Sequence, residues 1–198
     1  SSLILPSAII NDGAEFTITA IVKANDFESE NTSYIYKQII GGEVCLKIEN
    51  GNIWFQCKAS YGNCFTSGSW VYLNSPILDD DWHIYTGVYN RNEGILELYV
   101  DGTLMASTFI NNGSLANCDL YDAEIGQTNN NIFIDEIAIF NYAQDLTEIQ
   151  SFECNSISGN ENGLIAYWNF NEGYGTEVQE INGNFNGVLS GSYSIENS

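Results

Sequence analysis

Basic residues are scarce in this sequence. Its 198 residues include 5 Lys and Arg against 26 Asp and Glu, which gives a formal net charge of -21 at pH 7. Proteins that bind nucleic acids contact the phosphates with clustered Lys and Arg, and anionic membrane surfaces attract the same residues. The composition therefore argues against nucleic-acid binding and against docking on an anionic membrane.

Long apolar runs are also missing. No run approaches the roughly 20 residues of a membrane span, and no basic segment followed by an apolar one opens the chain. We therefore expect no membrane insertion. Residues 1–5 are typical of a domain cut from a longer precursor, so a secretion signal would precede the given sequence.

Metal-binding patterns of cysteine and histidine are absent. The chain has five Cys and one His, with no CxxC motif and no Cys/His pair at the spacing of a zinc site. We expect disulfides and hence an extracellular location, because disulfides persist in oxidising compartments. The alternative, buried free thiols in a cytosolic protein, stays open.

What the sequence does contain is a series of strand signals. Hydrophobic residues make up 44% and aromatic residues 13% of the chain, enough for one core. Residues 16–22, 84–89 and 96–100 have the alternation and β-branched content of strands, and Asn-Gly and Asp-Gly pairs mark the turns. This pattern predicts an all-β fold, a two-sheet antiparallel β-sandwich or jelly roll. One short helix is predicted near residues 147–153, capped by Thr147.

One hairpin can be predicted residue by residue. With Asn50-Gly51 as a two-residue turn, alternation puts six residues on an apolar face and six on a polar face. The apolar face holds Val44, Leu46, Ile48, Ile53, Phe55 and Cys57, and the polar face holds Glu43, Cys45, Lys47, Trp54, Gln56 and Lys58. Two consequences follow: Cys45 and Cys57 should not be bonded to each other, and Trp54 stands between two cations on a polar face.

Three segments carry a resemblance to a known family. They are DDWHIY at 80–85 followed by GILELYVDG at 94–102, then IG at 125–126 with IDEIAIF at 134–140, and GLIAYWNFNEG at 163–173. Together these segments resemble the LamG-like jelly-roll domains of the concanavalin A-like lectin/glucanase superfamily. The resemblance implies that Trp82, Trp168 and His83 are structural, with both tryptophans in the core.

The order of these motifs is permuted, because the family's opening strand comes last. We expect a single domain over 1–198, with a main body at 1–153, a connector at 154–162 and closing strands at 163–190. A truncated second repeat, or strand exchange with a neighbouring copy, are the alternatives. The resemblance also implies that Cys154 is unpaired, or that it pairs with Cys57, Cys64 or Cys118. A Cys57–Cys64 bridge could instead close the intervening loop.

Catalysis is not expected. The superfamily's glucanases alternate acidic residues on one strand, and this chain has no E-x-D-x-E motif; the nearest pattern places Asp119 and Asp122 on opposite faces. The family resemblance does imply a structural Ca²⁺, and the matching residues are Asp135, Asn171 and Glu172.

Carbohydrate binding is the function that the residues favour. An aromatic platform with neighbouring amides and charges is typical of sugar sites. We predict a ligand site made of Trp54, Gln56 and Lys58, with Asn63, Phe65 and Trp70 from the adjoining loop and strand. The chain would be a non-catalytic module of a secreted or cell-surface protein that binds a glycan or polysaccharide. A structural or adhesive repeat that binds proteins or itself, and a glycoside hydrolase, are the alternatives.

Overall fold

The structure is a computed structural model that describes residues 2–10, 15–25, 31–38, 44–60, 68–110, 114–115, 123–126, 131–152 and 154–191. Strands dominate the described residues, as the alternation predicts. Their bounds are β1 Ser2–Ile4, β2 Phe16–Asn25, β3 Ser33–Gln38, β4 Val44–Glu49, β5 Asn52–Ser60, β6 Gly68–Pro76, β7 Trp82–Asn90, β8 Ile95–Val100, β9 Thr103–Phe109, β10 Ser114–Leu115, β11 Ala123–Ile125, β12 Asn131–Phe140, β13 Leu164–Trp168, β14 Glu177–Val178 and β15 Gly187–Ser190. One helix, α1, spans Leu146–Ser151.

The strands form two antiparallel sheets. The nine-stranded sheet runs β6-β5-β4-β3-β11-β1-β15-β14, and β10 pairs with the end of β5. The six-stranded sheet runs β13-β12-β2-β7-β8-β9. The all-β sandwich prediction is therefore confirmed. Among the described residues, no helix has the length and apolar character needed to cross a bilayer.

The core lies between the inner faces of the two sheets. Phe16 of β2 and Phe55 of β5 meet edge to face, with ring centroids 6.2 Å apart. Gly87 of β7 lies under the same Phe55 ring, where an added Cβ would be 2.6 Å from a ring carbon. The sheets therefore approach too closely for a side chain at Gly87. This contact fixes the spacing between β5 and β7.

The C-terminal segment contributes strands to both sheets. β13 pairs with β12 in the six-stranded sheet, and β15 pairs with β1 in the nine-stranded sheet. Trp168 of β13 is fully buried, and its Nε1 donates to the carbonyl oxygen of Phe185 at 3.3 Å. The buried Glu180 carboxylate accepts from the backbone N–H groups of Tyr167 and Asn184, at 3.2 and 3.0 Å. This segment is thus held by core packing and by backbone hydrogen bonds.

The outer face of the six-stranded sheet is partly covered. Ile149 of α1 packs on Val88 and Tyr99. A second cluster on this side joins residues of β12 and β13 to the chain around the helix; its members are Ala138, Phe140, Tyr142, Phe152, Ile157, Leu164 and Tyr167. In the nine-stranded sheet both faces of β4 are buried, whereas Trp70 and Tyr72 of β6 are exposed.

Two predictions from the sequence were wrong in detail. The helix is capped by Asp145, not Thr147, because the Asp145 side chain accepts from the Glu148 N–H at 2.9 Å while the Glu148 carboxylate accepts from the Asp145 N–H. Trp82 is not in the core, since it lies at the start of β7 and is 48% exposed. Trp168 is buried as predicted.

The cysteines also differ from expectation. Cys45, Cys57 and Cys154 are free thiols, so the predicted Cys57–Cys64 bridge is wrong. Cys57 points into the core between the sheets and is fully buried there. Cys45 and Cys57 are not bonded to each other, as predicted, and Cys154 is unpaired, which is one of the two alternatives that the sequence left open. Cys64 and Cys118 lie outside the described residues.

His83 is held between two carboxylates. Its Nδ1 lies 2.7 Å from Asp101 Oδ2 and its Nε2 lies 2.9 Å from Asp79 Oδ1. Desolvation favours the neutral imidazole, but the hydrogen bonds to Asp101 and Asp79 outweigh it and raise the pKa of His83. Asp101 Oδ1 also accepts from the Ile84 N–H at 2.8 Å. His83 is therefore a satisfied structural histidine that ties the ends of β7 and β8 together.

Substitution Trp168→Ala should lower the free energy of unfolding by about 3–5 kcal/mol, because it empties a fully buried site. Tyr174→Ala is the matched control in the same segment: Tyr174 is 87% exposed, and its loss should change stability by less than about 0.5 kcal/mol. Urea unfolding measures both. Equal midpoints for the wild type and Trp168→Ala would mean that this segment is not part of the cooperative core.

The His83 contacts should make stability pH-dependent. A group whose pKa is raised by folding stabilises the fold fully below its unfolded pKa, about 6.5, and loses that contribution as the pH rises through the folded pKa. The melting temperature of the wild type should therefore exceed that of His83→Gln most clearly near pH 6. The difference should shrink towards pH 9; a constant difference across this range would refute the assignment.

Candidate functional site

The outer faces of β5 and β6 present aromatic and polar side chains. The register opposes Trp54 to Asn74, Gln56 to Tyr72 and Lys58 to Trp70. The alternate residues of β5 are the buried Ile53, Phe55 and Cys57. Because side chains alternate along a strand, Trp54, Gln56 and Lys58 and their partners on β6 must face away from the core. We call the set Trp54, Gln56, Lys58, Trp70, Tyr72 and Asn74 the aromatic face.

The same surface continues onto β4 and β3. Lys47 lies opposite Trp54 on one side and Tyr34 on the other, and Cys45 lies opposite Gln56 and Lys37. Lys47 Nζ lies 5.7 Å from the Trp54 ring centroid, and Lys37 Nζ lies 5.2 Å from that of Tyr34. Such cation–π contacts hold the lysines against the rings.

Trp54 is the fixed element of the aromatic face. Its Nε1 donates to the carbonyl oxygen of Glu49 at 3.1 Å, and its ring lies 5.7 Å from that of Tyr72 at an angle of 51°. The indole is half-buried. Its N–H is thus used within the fold, and its ring lies near both Lys47 and Tyr72.

Trp70 and Tyr72 are the exposed part of the aromatic face. Trp70 is 44% and Tyr72 58% exposed, although both are large and partly apolar. They are two residues apart on β6, so both project from the same side of the sheet. With Trp54, whose ring lies near that of Tyr72, they place three aromatic side chains on one side of two adjacent strands. Surfaces of this kind provide the flat apolar contact that a sugar ring needs.

Glu49 organises the charges beside Trp54. Its Oε2 lies 2.9 Å from Lys47 Nζ, and its Oε1 accepts from the Thr32 hydroxyl. Burial opposes ionisation, but the hydrogen bonds from Thr32 and Lys47 hold the pKa of Glu49 below its usual value. Lys37 is likewise paired with Glu124, at 3.2 Å. Lys58 forms no ion pair with any residue that the structure describes.

Cys45 lies on the outward side but is not a reactive group. It is fully buried, and burial raises the pKa of its thiol to about 12. The thiolate is the nucleophilic form, so a thiol of this pKa is inert near neutral pH. Cys45 is therefore a buried residue of β4 beside the aromatic face.

The structure brings four of the six predicted ligand-binding residues together: Trp54, Gln56, Lys58 and Trp70. The other two, Asn63 and Phe65, lie outside the described residues. Tyr72 and Tyr34 are members of this surface that the prediction left out. Tyr72 could have been found, because it alternates with Trp70 in a strand that follows the predicted hairpin.

The predicted calcium ligands lie in two segments, with Asp135 on β12 and with Asn171 and Glu172 after β13. Asp135 lies on β12 where the register with β2 shifts, and Glu172 Oε1 accepts from the Gln179 N–H at 2.8 Å. The Asn171 N–H donates to Asn169 Oδ1 at 3.3 Å. Calcium takes six to eight oxygen ligands, and within the described ranges no group of three His, Cys, Asp or Glu side chains is placed to hold a metal. These residues alone do not form a complete site, and calcium binding stays a prediction from the family resemblance.

Several solved structures share this fold at low sequence identity. A Bacteroides ovatus protein described as a candidate carbohydrate-binding protein is 15% identical, with a TM-score of 0.72; the match covers 94% of this chain and 55% of that one. The receptor-binding domain of botulinum neurotoxin mosaic serotype C/D is 19% identical, with a TM-score of 0.59, and the match covers 71% of this chain and 36% of that one. The binding domain of botulinum neurotoxin serotype G is 18% identical, with a TM-score of 0.57, and the match covers 73% and 37%.

These structural likenesses extend over little more than half of the first protein and over about a third of the toxin domains. At such identities they establish the fold alone. No curated protein sequence is similar enough to this chain to count as a match. The family profile Laminin_G_3 matches residues 1–150, which is most of the chain. The chain therefore belongs to the Laminin_G_3 family of the concanavalin A-like lectin/glucanases superfamily.

Proposed function

We propose that this chain is a non-catalytic binding module and that its ligand is a carbohydrate held on the aromatic face. The observation that carries the proposal is the pair Trp70 and Tyr72, 44% and 58% exposed, standing beside Trp54 on one surface. Pyranose rings have apolar faces that stack on aromatic side chains, and the Gln56 amide and Asn74 amide supply hydrogen-bond donors and acceptors.

The relatives support this proposal in general terms. The Bacteroides protein is described as a candidate carbohydrate-binding protein, and the toxin domains are described as receptor-binding or binding domains. The superfamily name includes both lectins and glucanases. Binding of a glycan or another ligand is thus the common feature, and the aromatic face favours the glycan.

The chemistry of the described residues favours binding without catalysis. Both ring nitrogens of His83, the chain's one histidine, are occupied by Asp79 and Asp101. The thiol of Cys45 is buried and inert at neutral pH. The residues Asp119 and Asp122, which come nearest to the acidic motif of glucanases, lie outside the described residues. We accordingly propose a module that holds its ligand unchanged. We propose a secreted or cell-surface protein on the strongly acidic composition, since the cysteines that the structure describes are free thiols.

Replacement of Trp70 or Tyr72 by Ala should weaken glycan binding by about three- to tenfold each, because each removes one stacking contact of about 0.5–1.5 kcal/mol. A glycan microarray identifies the ligand, and titration calorimetry with that ligand measures the loss. Trp82→Ala is the matched control, since Trp82 is 48% exposed on the six-stranded sheet. It should bind as the wild type does.

Unchanged binding in both Trp70→Ala and Tyr72→Ala would remove the aromatic face from the site. The chain also exposes Leu104, Met105 and Phe109 on β9, by 47%, 40% and 69%. Light scattering that finds concentration-dependent association, together with no binding on the microarray, would favour the adhesive repeat instead.

Calcium binding is a separate proposal, supported by the family resemblance. An ion bound only to the folded state stabilises it by about 2.7 kcal/mol at a hundredfold excess over Kd. The melting temperature should therefore rise by roughly 5–10 °C between chelator and calcium. The double variant Asp135→Asn, Glu172→Gln should lose this increase. Identical melting curves for the wild type with calcium and with chelator would refute the proposal.

A further inference from the structure

We propose that the glycan bound on the aromatic face is acidic and that its carboxylate or sulfate group is held by Lys58 beside Trp70. This inference rests on the carbohydrate binding proposed above and names the chemical class of the ligand. It is drawn from the placement of charge on the surface and not from the aromatic residues alone.

The basic residues of the chain are unevenly distributed. The chain has a net charge of -21, and its five basic residues are Lys23, Lys37, Lys47, Lys58 and Arg91. Three of these, Lys37, Lys47 and Lys58, lie on the outer side of the nine-stranded sheet, in register with one another and with the aromatic residues. Three of the five basic residues thus lie on this side of the sheet, where Glu124 and Glu49 compensate Lys37 and Lys47.

The aromatic face has no acidic member. Its six members are Trp54, Gln56, Lys58, Trp70, Tyr72 and Asn74, and none of them is Asp or Glu. In a chain with 26 acidic residues, two adjacent strands without an outward carboxylate at these positions are a local exception. An anionic ligand would meet less repulsion here than over the rest of the surface.

The three lysines on this side of the sheet differ in their partners. Lys47 and Lys37 are paired with Glu49 and Glu124, at 2.9 and 3.2 Å, so their charges are compensated within the fold. Lys58 has no carboxylate partner among the described residues. It is partly exposed and lies directly across from Trp70. Its charge is therefore available to a ligand that also contacts the Trp70 ring.

The arrangement fits a sugar that combines a ring with an anion. A uronic acid or sulfated sugar could stack its ring on Trp70 while Lys58 Nζ donates to the carboxylate or sulfate oxygens. Hydrogen bonds of this kind, between charged groups, are roughly twice as strong as neutral ones. Lys58 would then select acidic sugars over neutral sugars of the same shape.

The test compares matched ligands and matched variants by titration calorimetry on the full 198-residue chain. The probes are an oligogalacturonate with its carboxyl-reduced counterpart, and a chondroitin sulfate oligosaccharide with its desulfated counterpart. These two pairs distinguish carboxylate from sulfate recognition. The variants are Lys58→Gln and Lys23→Gln, which change the net charge equally; Lys23 lies on β2 in the other sheet.

We expect at least one acidic probe to bind more tightly than its neutral counterpart. Lys58→Gln should weaken that binding by about three- to tenfold, while Lys23→Gln should leave it unchanged. The Lys58 effect should also decrease as salt is added, since partly exposed charges are screened.

Two other results would overturn the inference. Equal affinity for acidic and neutral probes, with both still weakened by Trp70→Ala, would refute the acidic ligand and leave carbohydrate binding intact. Binding of an acidic peptide such as oligoglutamate, with no binding of any glycan, would refute both proposals together.

Discussion

The register fixed by the turn at Asn50 and Gly51 is the constraint on which the rest of the site depends. Both residues have positive φ angles, 51° and 72°, which suit the tight turn of a hairpin whose strands twist in the right-handed sense. The turn pairs Ile48 with Ile53 and Lys47 with Trp54. A shift by one residue would move every side chain of β5 to the opposite face, which would bury the charged residues and expose the core.

The two sheets pack through their inner faces and differ in their outer faces. Their inner faces pack on each other, with Phe55 against Gly87 setting the spacing. The six-stranded sheet is covered on its outer side by α1 and the chain that follows, through Ile149 and Phe152 among others. On the outer side of the nine-stranded sheet, Cys45 and Lys47 of β4 are buried, whereas Trp70 and Tyr72 of β6 are 44% and 58% exposed. The exposed aromatic side chains of β6 thus lie beside a buried part of the same sheet.

Most of the fold and part of the site follow from local patterns in the sequence. Alternation between the Asn-Gly turn and Lys58 was enough to assign each residue of the hairpin to a face. Patterns that depend on distant partners were less informative: Trp82 has the motif of a core residue, yet it is 48% exposed at the start of β7. The exposure of Tyr72 and the lack of a partner for Lys58 depend on which strands pair, and a single sequence does not specify that. The helix cap could have been predicted from the sequence, because Asp145 and Glu148 have the spacing of a capping box. The prediction placed the cap at Thr147 instead.

The four tryptophans allow one measurement to test whether a glycan binds on the aromatic face. Trp54 and Trp70 belong to the aromatic face, Trp82 is exposed on the other sheet, and Trp168 is buried in the core. In a nitrogen–proton NMR titration with a glycan ligand, the four indole N–H signals report on these four places separately. The account predicts that the signals of Trp54 and Trp70 move with the added glycan while those of Trp82 and Trp168 stay in place. Movement of the Trp82 signal, with those of Trp54 and Trp70 unchanged, would contradict it.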